Sequence, residues 1–294
     1  MPRKHQLDHT PFQVLPGTAV RLADFETGHR DEFDEKSDAK KSLAEDISSL
    51  KNSQELLWAD KRYAVLIILQ AMDAAGKDGT IKHVMSGVNP QGCEVHSFGP
   101  PSTEELGHHF LWRPMRYLPA RGRIGIFNRS YYEETLVVRV HPEYLEPQKL
   151  PPGPRDQQFW QQRFEDINNF EHTLNRNGTC VIKFFLHVSK KEQKKRFQER
   201  LNNPEKHWKF NSKDLEERNH WDSYMKCFEE TLTATSSAWA PWYVIPADDK
   251  WFTRACVADI ITSRIDELDL SFPTVSKEEE ARLVVSRKKL EADD

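Results

Sequence analysis

The chain has 294 residues and a formal net charge of −4, with 37% hydrophobic and 30% charged residues. Eight Trp and sixteen Phe are enough for a substantial core, which excludes an intrinsically disordered chain. The acidic balance excludes a protein built as a whole to bind polyanions, so any anion site has to be a local basic patch.

Taken in chain order, residues 1–35 are polar and carry Pro11, Pro16 and Gly17, which reads as a strapped-down arm or extension. Leu43, Ile47, Leu50 and Leu57 keep helical spacing across about 37–58. Tyr63 to Leu69 is an apolar run suited to a buried strand, and a helical pattern through Ile81 to Met85 follows until Asn89-Pro90. Val95–Phe98 and Ile124–Phe127 predict a second and a third strand. Trp160, Phe164, Ile167, Phe170 and Leu174 mark an amphipathic helix stopped by Asn177-Gly178. Cys180–Leu186 and Tyr243–Ile245 predict the fourth and fifth strands, a helix covers about 251–268, and a charged helix spans about Lys277–Leu290. Strands alternating with helices argue a parallel, doubly wound sheet, whose ligands sit at the carboxyl ends of the strands.

Cys93, Cys180, Cys227 and Cys256 are scattered without a CxxC pair, which points to neither a disulfide framework nor a zinc site. The N-terminus has no apolar signal segment and no apolar run reaches membrane-spanning length, so a soluble cytoplasmic protein is expected.

The first strand empties into Ala71-Met72-Asp73-Ala74-Ala75-Gly76-Lys77-Asp78-Gly79-Thr80. Backbone N–H groups of such a loop and the N-terminal dipole of the next helix cradle phosphate oxygens, and the lysine adds a mobile positive charge. The regular pattern has Gly where Ala71 stands and Ser or Thr where Asp78 stands. The missing hydroxyl is the usual Mg²⁺ ligand, and Asp73 offers a carboxylate in its place. A plain strand-to-helix turn capped by Asp73 is the alternative for this segment.

After the third strand the first polar residues are Asn128, a neutral oxygen donor, and Arg129, suited to neutralising charge on a phosphoryl group in transit. A helix cap at Asn128 and a surface ion pair at Arg129 are the structural alternative. Because the first and third strands end at Asp73 and Asn128, the two motifs can share one crevice. Between His108 and Arg123 lies a base-rich, acid-free run containing Arg113 and Arg116. A second basic segment, 187–218, includes Arg196, Arg200, Lys209 and Lys213 and occupies the place of an arginine-bearing lid. Either run can also be a solvated face.

Together, Met72 to Lys82, Phe110-Leu111-Trp112-Arg113, Leu118 to Tyr132, Trp208-Lys209-Phe210, Asp214-Leu215, Trp221-Asp222-Ser223-Tyr224 and Trp239 to Asp248 resemble the polyphosphate kinase 2 family, in order, over about 35–270. The resemblance implies an α/β P-loop fold of the thymidylate-kinase-like, three-layer kind, with a five-stranded parallel sheet and a helical lid. The implied division is an arm at 1–35, a kinase-like domain at 36–270 with its lid at about 187–220, and a charged helical tail at 271–294. It implies transfer of phosphate between inorganic polyphosphate and nucleotides with Mg²⁺, Mn²⁺ being an alternative ion. Asp73, Lys77, Asn128 and Arg129 are then the catalytic set, with Asp73 at the metal. Ala74, Ala75, Gly76, Asp78, Gly79, Thr80 and Lys82, with Arg113 and Arg116, hold phosphate, and Arg196 or Arg200 closes from the lid beside Lys209 and Lys213. Glu133 joins Asn128 and Arg129 at the nucleotide, as an outer ligand or a ribose contact.

Members that handle mainly nucleoside diphosphates tend to carry Asp at the position of Asn128. The Asn form resembles the subgroup that accepts nucleoside mono- and diphosphates. The expected partners are polyphosphate and adenine or guanine nucleotides, without nucleic acid or membrane, in a homo-oligomer (dimer or tetramer). Two other readings stand beside this one: an ATP-dependent nucleotide or small-molecule kinase of the same fold, and a non-catalytic polyphosphate or nucleotide binder.

Overall fold

The computed structural model describes residues 7–28, 33 and 35–293. Its centre is a six-stranded sheet made of β1 (Gln13–Val14), β2 (Ala64–Gln70), β3 (Cys93–Ser97), β4 (Ile124–Asn128), β5 (Thr179–His187) and β6 (Trp242–Pro246), in the order β1-β6-β5-β2-β4-β3. The strands β2 to β6 are parallel, as their spacing in the sequence predicts. All seven residues of β2 are buried, and its run Ala-Val-Leu-Ile-Ile-Leu-Gln lacks polar alternation because helices cover both faces.

The expected five strands become six. Gln13 and Val14 pair antiparallel with Tyr243 and Trp242, fixed by Val244 N donating to Phe12 O at 2.7 Å. A two-residue strand among turn residues carries no period-2 signal, so only its docking reveals it. The same arm buries Leu7, Phe12, Val14, Val20 and Leu22, and His9 Nε2 lies 2.6 Å from Asp259 Oδ2.

The helices are α1 (Lys36–Asp60), α2 (Lys77–Val84), the single turns α3 (Thr103–Leu106), α4 (Trp112–Met115) and α5 (Val137–Val140), then α6 (Gln157–Arg176), α7 (Lys190–Asn202), α8 (Lys213–Asn219), α9 (Trp221–Thr235), α10 (Lys250–Asp266) and α11 (Lys277–Glu291). α10 packs on α1, α2 and β5, whereas α6 packs on α9 and β5. α11 is exposed along its length, and its Glu278–Glu280 and Lys288-Lys289 ends complement the helix dipole. Among the described residues, no helix is long and apolar enough to cross a membrane.

Register positions the site. Leu69 of β2 is level with Asn128 of β4, so the loops leaving these two strands emerge side by side.

Candidate active site

The loop after β2 bends through two left-handed residues, Ala74 (φ 60°) and Gly76 (φ 115°), before α2 starts at Lys77. Such turns gather backbone N–H groups into an anion-binding concavity. Ala71, where the regular motif has Gly, is not among the residues with positive φ, so its side chain fits without strain. Lys77 is buried, and its Nζ donates to Ala71 O at 2.9 Å. Burial and the nearby Arg129 charge push the Lys77 pKa down, opposed by Asp73, Glu133 and Asp78.

The other loop contributes Asn128 and Arg129. Arg129 is itself left-handed (φ 62°), and its N–H donates to Leu69 O at 3.0 Å, locking the β4 exit to the β2 exit. Its Nη2 reaches Asp73 Oδ1 at 2.9 Å. Asn128 Nδ2 donates to Asp78 Oδ1 at 2.7 Å. The Gln70 amide, oriented so that its oxygen accepts from Ser130 N, donates to Glu133 Oε1 at 2.9 Å. Burial raises the Glu133 pKa, while Arg129 and Lys77 pull it back. Six sequence-predicted residues, the charged Asp73, Lys77, Asp78, Arg129 and Glu133 and the neutral Asn128, therefore form one polar cluster.

The cluster borders a cavity of ≈ 630 Å³. Asp73 and Arg129 stand in its wall, Phe98, Phe110, Tyr144 and Phe228 give it apolar surface, and Lys213, Asp214 and Glu217 of α8 face it. Such a volume, with apolar surface on part of its wall and Arg113, Arg129 and Lys213 set among carboxylates on the rest, suits a nucleotide-sized molecule. Burial and Asp73 push the Asp214 carboxyl up to about 6.

The remaining predicted residues divide. Arg113 lines the cavity, but its Nε is 3.1 Å from Glu105 and its Nη1 donates to Gly99 O, so its charge is already paired. Arg116 is exposed on the Trp112 ring, and Lys82 and Lys209 are exposed, all three outside the cavity lining. Arg200 donates to Lys209 O at 3.1 Å and lies 3.5 Å from Asp214.

The structure places Arg196 outside the cavity lining. Expected as a closing lid charge, it is buried, and its guanidinium donates to the carbonyls of Ala74, Ala75, Ala247 and Asp248 and to Glu192 Oε1. It is a clamp beneath the loop, because a planar fork with five donors matches a cage of carbonyls. The sequence reading also missed Gln193, which stands one turn from Arg196 and donates to Asp73 O at 2.9 Å. A neutral amide inside a lysine-rich run was the only local signal.

Among the described residues, no group of three or more His, Cys, Asp and Glu could hold a metal ion. Mg²⁺ needs less than that: one or two carboxylates, with waters and substrate phosphates completing its shell. Asp73, with side-chain oxygens partly exposed beside the loop, fits such a donor set.

A family model described as Polyphosphate kinase 2 (PPK2) matches residues 33–273. The chain belongs to the polyphosphate kinase 2 family. It is 48% identical over 280 residues to an ADP-polyphosphate phosphotransferase of Rhodopseudomonas palustris, covering 95% of this chain and 97% of that protein. An AMP/ADP-polyphosphate phosphotransferase of Meiothermus ruber is 44% identical over 263 residues, covering 89% and 94%. The crystal structure of polyphosphate kinase 2 from Arthrobacter aurescens TC1 superposes with a TM-score of 0.84 at 37% identity, covering 94% of this chain and 95% of that one. In this polyphosphate kinase 2 family member the P-loop kinase fold is thus built on a sheet with one extra antiparallel edge strand.

Proposed function

We propose that this family member moves phosphoryl groups between inorganic polyphosphate and nucleotides, converting AMP to ADP and ADP to ATP in a reversible reaction. The observation that carries the reading is the meeting of Asp73 and Arg129 at the wall of a nucleotide-sized cavity, with the buried Lys77 close behind them. The relatives named for transfer from polyphosphate to ADP, or to AMP and ADP, support the substrate class.

The acceptor is a phosphate oxygen, anionic at neutral pH, so no strong general base is needed. Positioning and charge neutralisation do the work. Lys77 and Arg129 flank the transferring group, the loop N–H groups hold the donor chain, and the apolar cavity wall seats the nucleoside. Asp73 is the residue that would hold Mg²⁺, or Mn²⁺ in its place. Bound there, such an ion would supply charge neutralisation for the phosphate substrates. Asn128, neutral beside Asp78, leaves room for acceptor phosphates in more than one register, which favours use of both AMP and ADP. Within this reading residues 36–270 are the catalytic unit, 187–220 its lid, and 1–35 and 271–294 are additions. The proposed setting is a cytoplasmic homo-oligomer, dimer or tetramer, acting on adenine or guanine nucleotides.

The test is incubation of the purified protein with AMP, Mg²⁺ and long-chain polyphosphate without ATP. ADP followed by ATP is the expected outcome. Phosphorylation of added ADP alone would remove AMP from the reading, and no product from either acceptor would overturn it.

A further inference from the structure

Two side chains of α7, one turn apart, hold three consecutive carbonyls of the phosphate loop. Arg196 takes Ala74 O and Ala75 O, at 3.0 and 2.6 Å. Gln193, 1% exposed, takes Asp73 O through Nε2 at 2.9 Å. The other end of the Gln193 amide is also engaged. Its Oε1 accepts from Arg218 Nη1 at 2.7 Å, and the same guanidinium nitrogen donates to Lys190 O at 2.8 Å. Arg218 belongs to α8, the short helix that turns Lys213, Asp214 and Glu217 toward the cavity.

The amide can face only one way. Its NH₂ must meet the Asp73 carbonyl and its oxygen must meet the guanidinium, because the reverse would set acceptor on acceptor and donor on donor. A fully buried group with both ends satisfied and a single allowed orientation transmits displacement rather than absorbing it. A shift of Arg218 either drags the amide or breaks one of its bonds.

We infer that Gln193 is a positioning residue that couples the seat of α8 over the cavity to the geometry of Asp73 in the phosphate loop. The inference rests on the proposed phosphotransfer reading, because it gives the cavity to the nucleotide and the loop to the donor phosphate. A molecule that draws α8 onto itself then sets the loop through Arg218 and Gln193, so acceptor binding and donor alignment are linked by one hydrogen-bonded chain.

Three variants separate the links. Gln193→Leu removes both contacts. Gln193→Glu keeps an acceptor for Arg218 but puts a carboxylate oxygen against the Asp73 carbonyl. Arg218→Met removes the guanidinium end and touches nothing in the loop. The expected result for Gln193→Leu and Gln193→Glu is a kcat reduced by about tenfold or more, the scale for losing the support of a working group. Nucleotide KM should stay within about twofold, since cavity contacts are untouched. Arg218→Met should speed amide hydrogen exchange in the loop at 73–77, and the Gln193→Leu/Arg218→Met pair should be no slower than Gln193→Leu alone. Losses that multiply in the double variant would overturn the coupling. So would unchanged loop exchange in Arg218→Met, or a raised KM with kcat preserved. Hydrogen exchange needs no turnover, so failure of wild-type protein to use polyphosphate would strike the functional reading and leave the relay to be judged on exchange.

Discussion

Arg129 Nη2 and Asp73 Oδ1 lie 2.9 Å apart, joining loops whose residues stand 56 positions apart in the chain. The side chains are 39% and 26% exposed, and an ion pair that open to water adds little to stability. Its significance is local: in the proposed reaction, a phosphate at Lys77 would compete with Asp73 for Arg129. Asp73→Ala and Arg129→Ala should each lower kcat by at least ~100-fold, the scale for losing one electrostatic partner of the transition state. Their urea unfolding free energies should change by less than ~1 kcal/mol. Near-normal turnover in either variant would sink the assignment.

Asn128 donates to Asp78 at 2.7 Å, so Asn128→Asp sets one carboxylate against another at the proposed acceptor site. The added repulsion should disfavour one acceptor register more than the other. The ratio of AMP to ADP turnover should fall by ~10-fold or more, about 1.4 kcal/mol of discrimination. Parallel initial rates with both acceptors read this directly, and an unchanged ratio would contradict it.

Arg196→Ala would strip the partner from four backbone carbonyls that α7 now covers. Removing one member of such a buried network costs about 3–5 kcal/mol. Arg196→Lys should restore little, because an ammonium cannot span carbonyls on both sides of a planar fork. Urea unfolding compares the two, and full stability in the lysine variant would show that charge alone suffices.

Behind the second loop, Glu171 accepts from Tyr131 and Tyr132 hydroxyls at 2.8 and 2.7 Å and from Lys183 Nζ at 2.5 Å, all buried. Lys183→Met leaves a buried carboxylate without its cation, so a loss of about 3–5 kcal/mol is expected. Glu171→Leu in that background should recover only part of it, since two tyrosine hydroxyls then lose their acceptor. A double variant as stable as wild type would refute this account.

Asp214 has a carboxyl pushed up to about 6 by burial and by Asp73, against 3.8 in an unfolded chain. Between those values the folded protein retains a proton that the unfolded chain has released, so this group's contribution to stability declines as pH rises from about 4 to 6. Asp214→Asn should accordingly raise Tm more at pH 7 than at pH 4 in metal-free buffer. An equal gain at both pH values would rule out the titration as the cause.

Much of the architecture is legible in the residues because its signals are local. The run from Leu66 to Leu69 is apolar at every position, so it announces a strand buried on both faces. Gly76-Lys77 announces the loop, and two strand ends carrying Asp73 and Asn128 imply a shared crevice once the sheet is parallel. The arm strand Gln13–Val14 is too short to show periodicity, and it exists only because Trp242 and Tyr243 offer an edge.

The basic segment 187–218 marks the boundary between the two kinds of knowledge. Composition establishes that it is cationic, and helical spacing that Arg196 and Arg200 share a face. Nothing local says which cation meets solvent, a carboxylate or a carbonyl, since a charge run reads alike in every case. Folding brings the carbonyls of Ala74, Ala75, Ala247 and Asp248 around Arg196 and sets Gln193 between Asp73 and Arg218. The residues alone thus determine the sheet, the phosphate loop and the kind of chemistry, through patterns that act over a few positions. Which side chains clamp that loop is decided by tertiary structure, because a hydrogen bond requires atoms about 3 Å apart and those atoms come from distant parts of the chain.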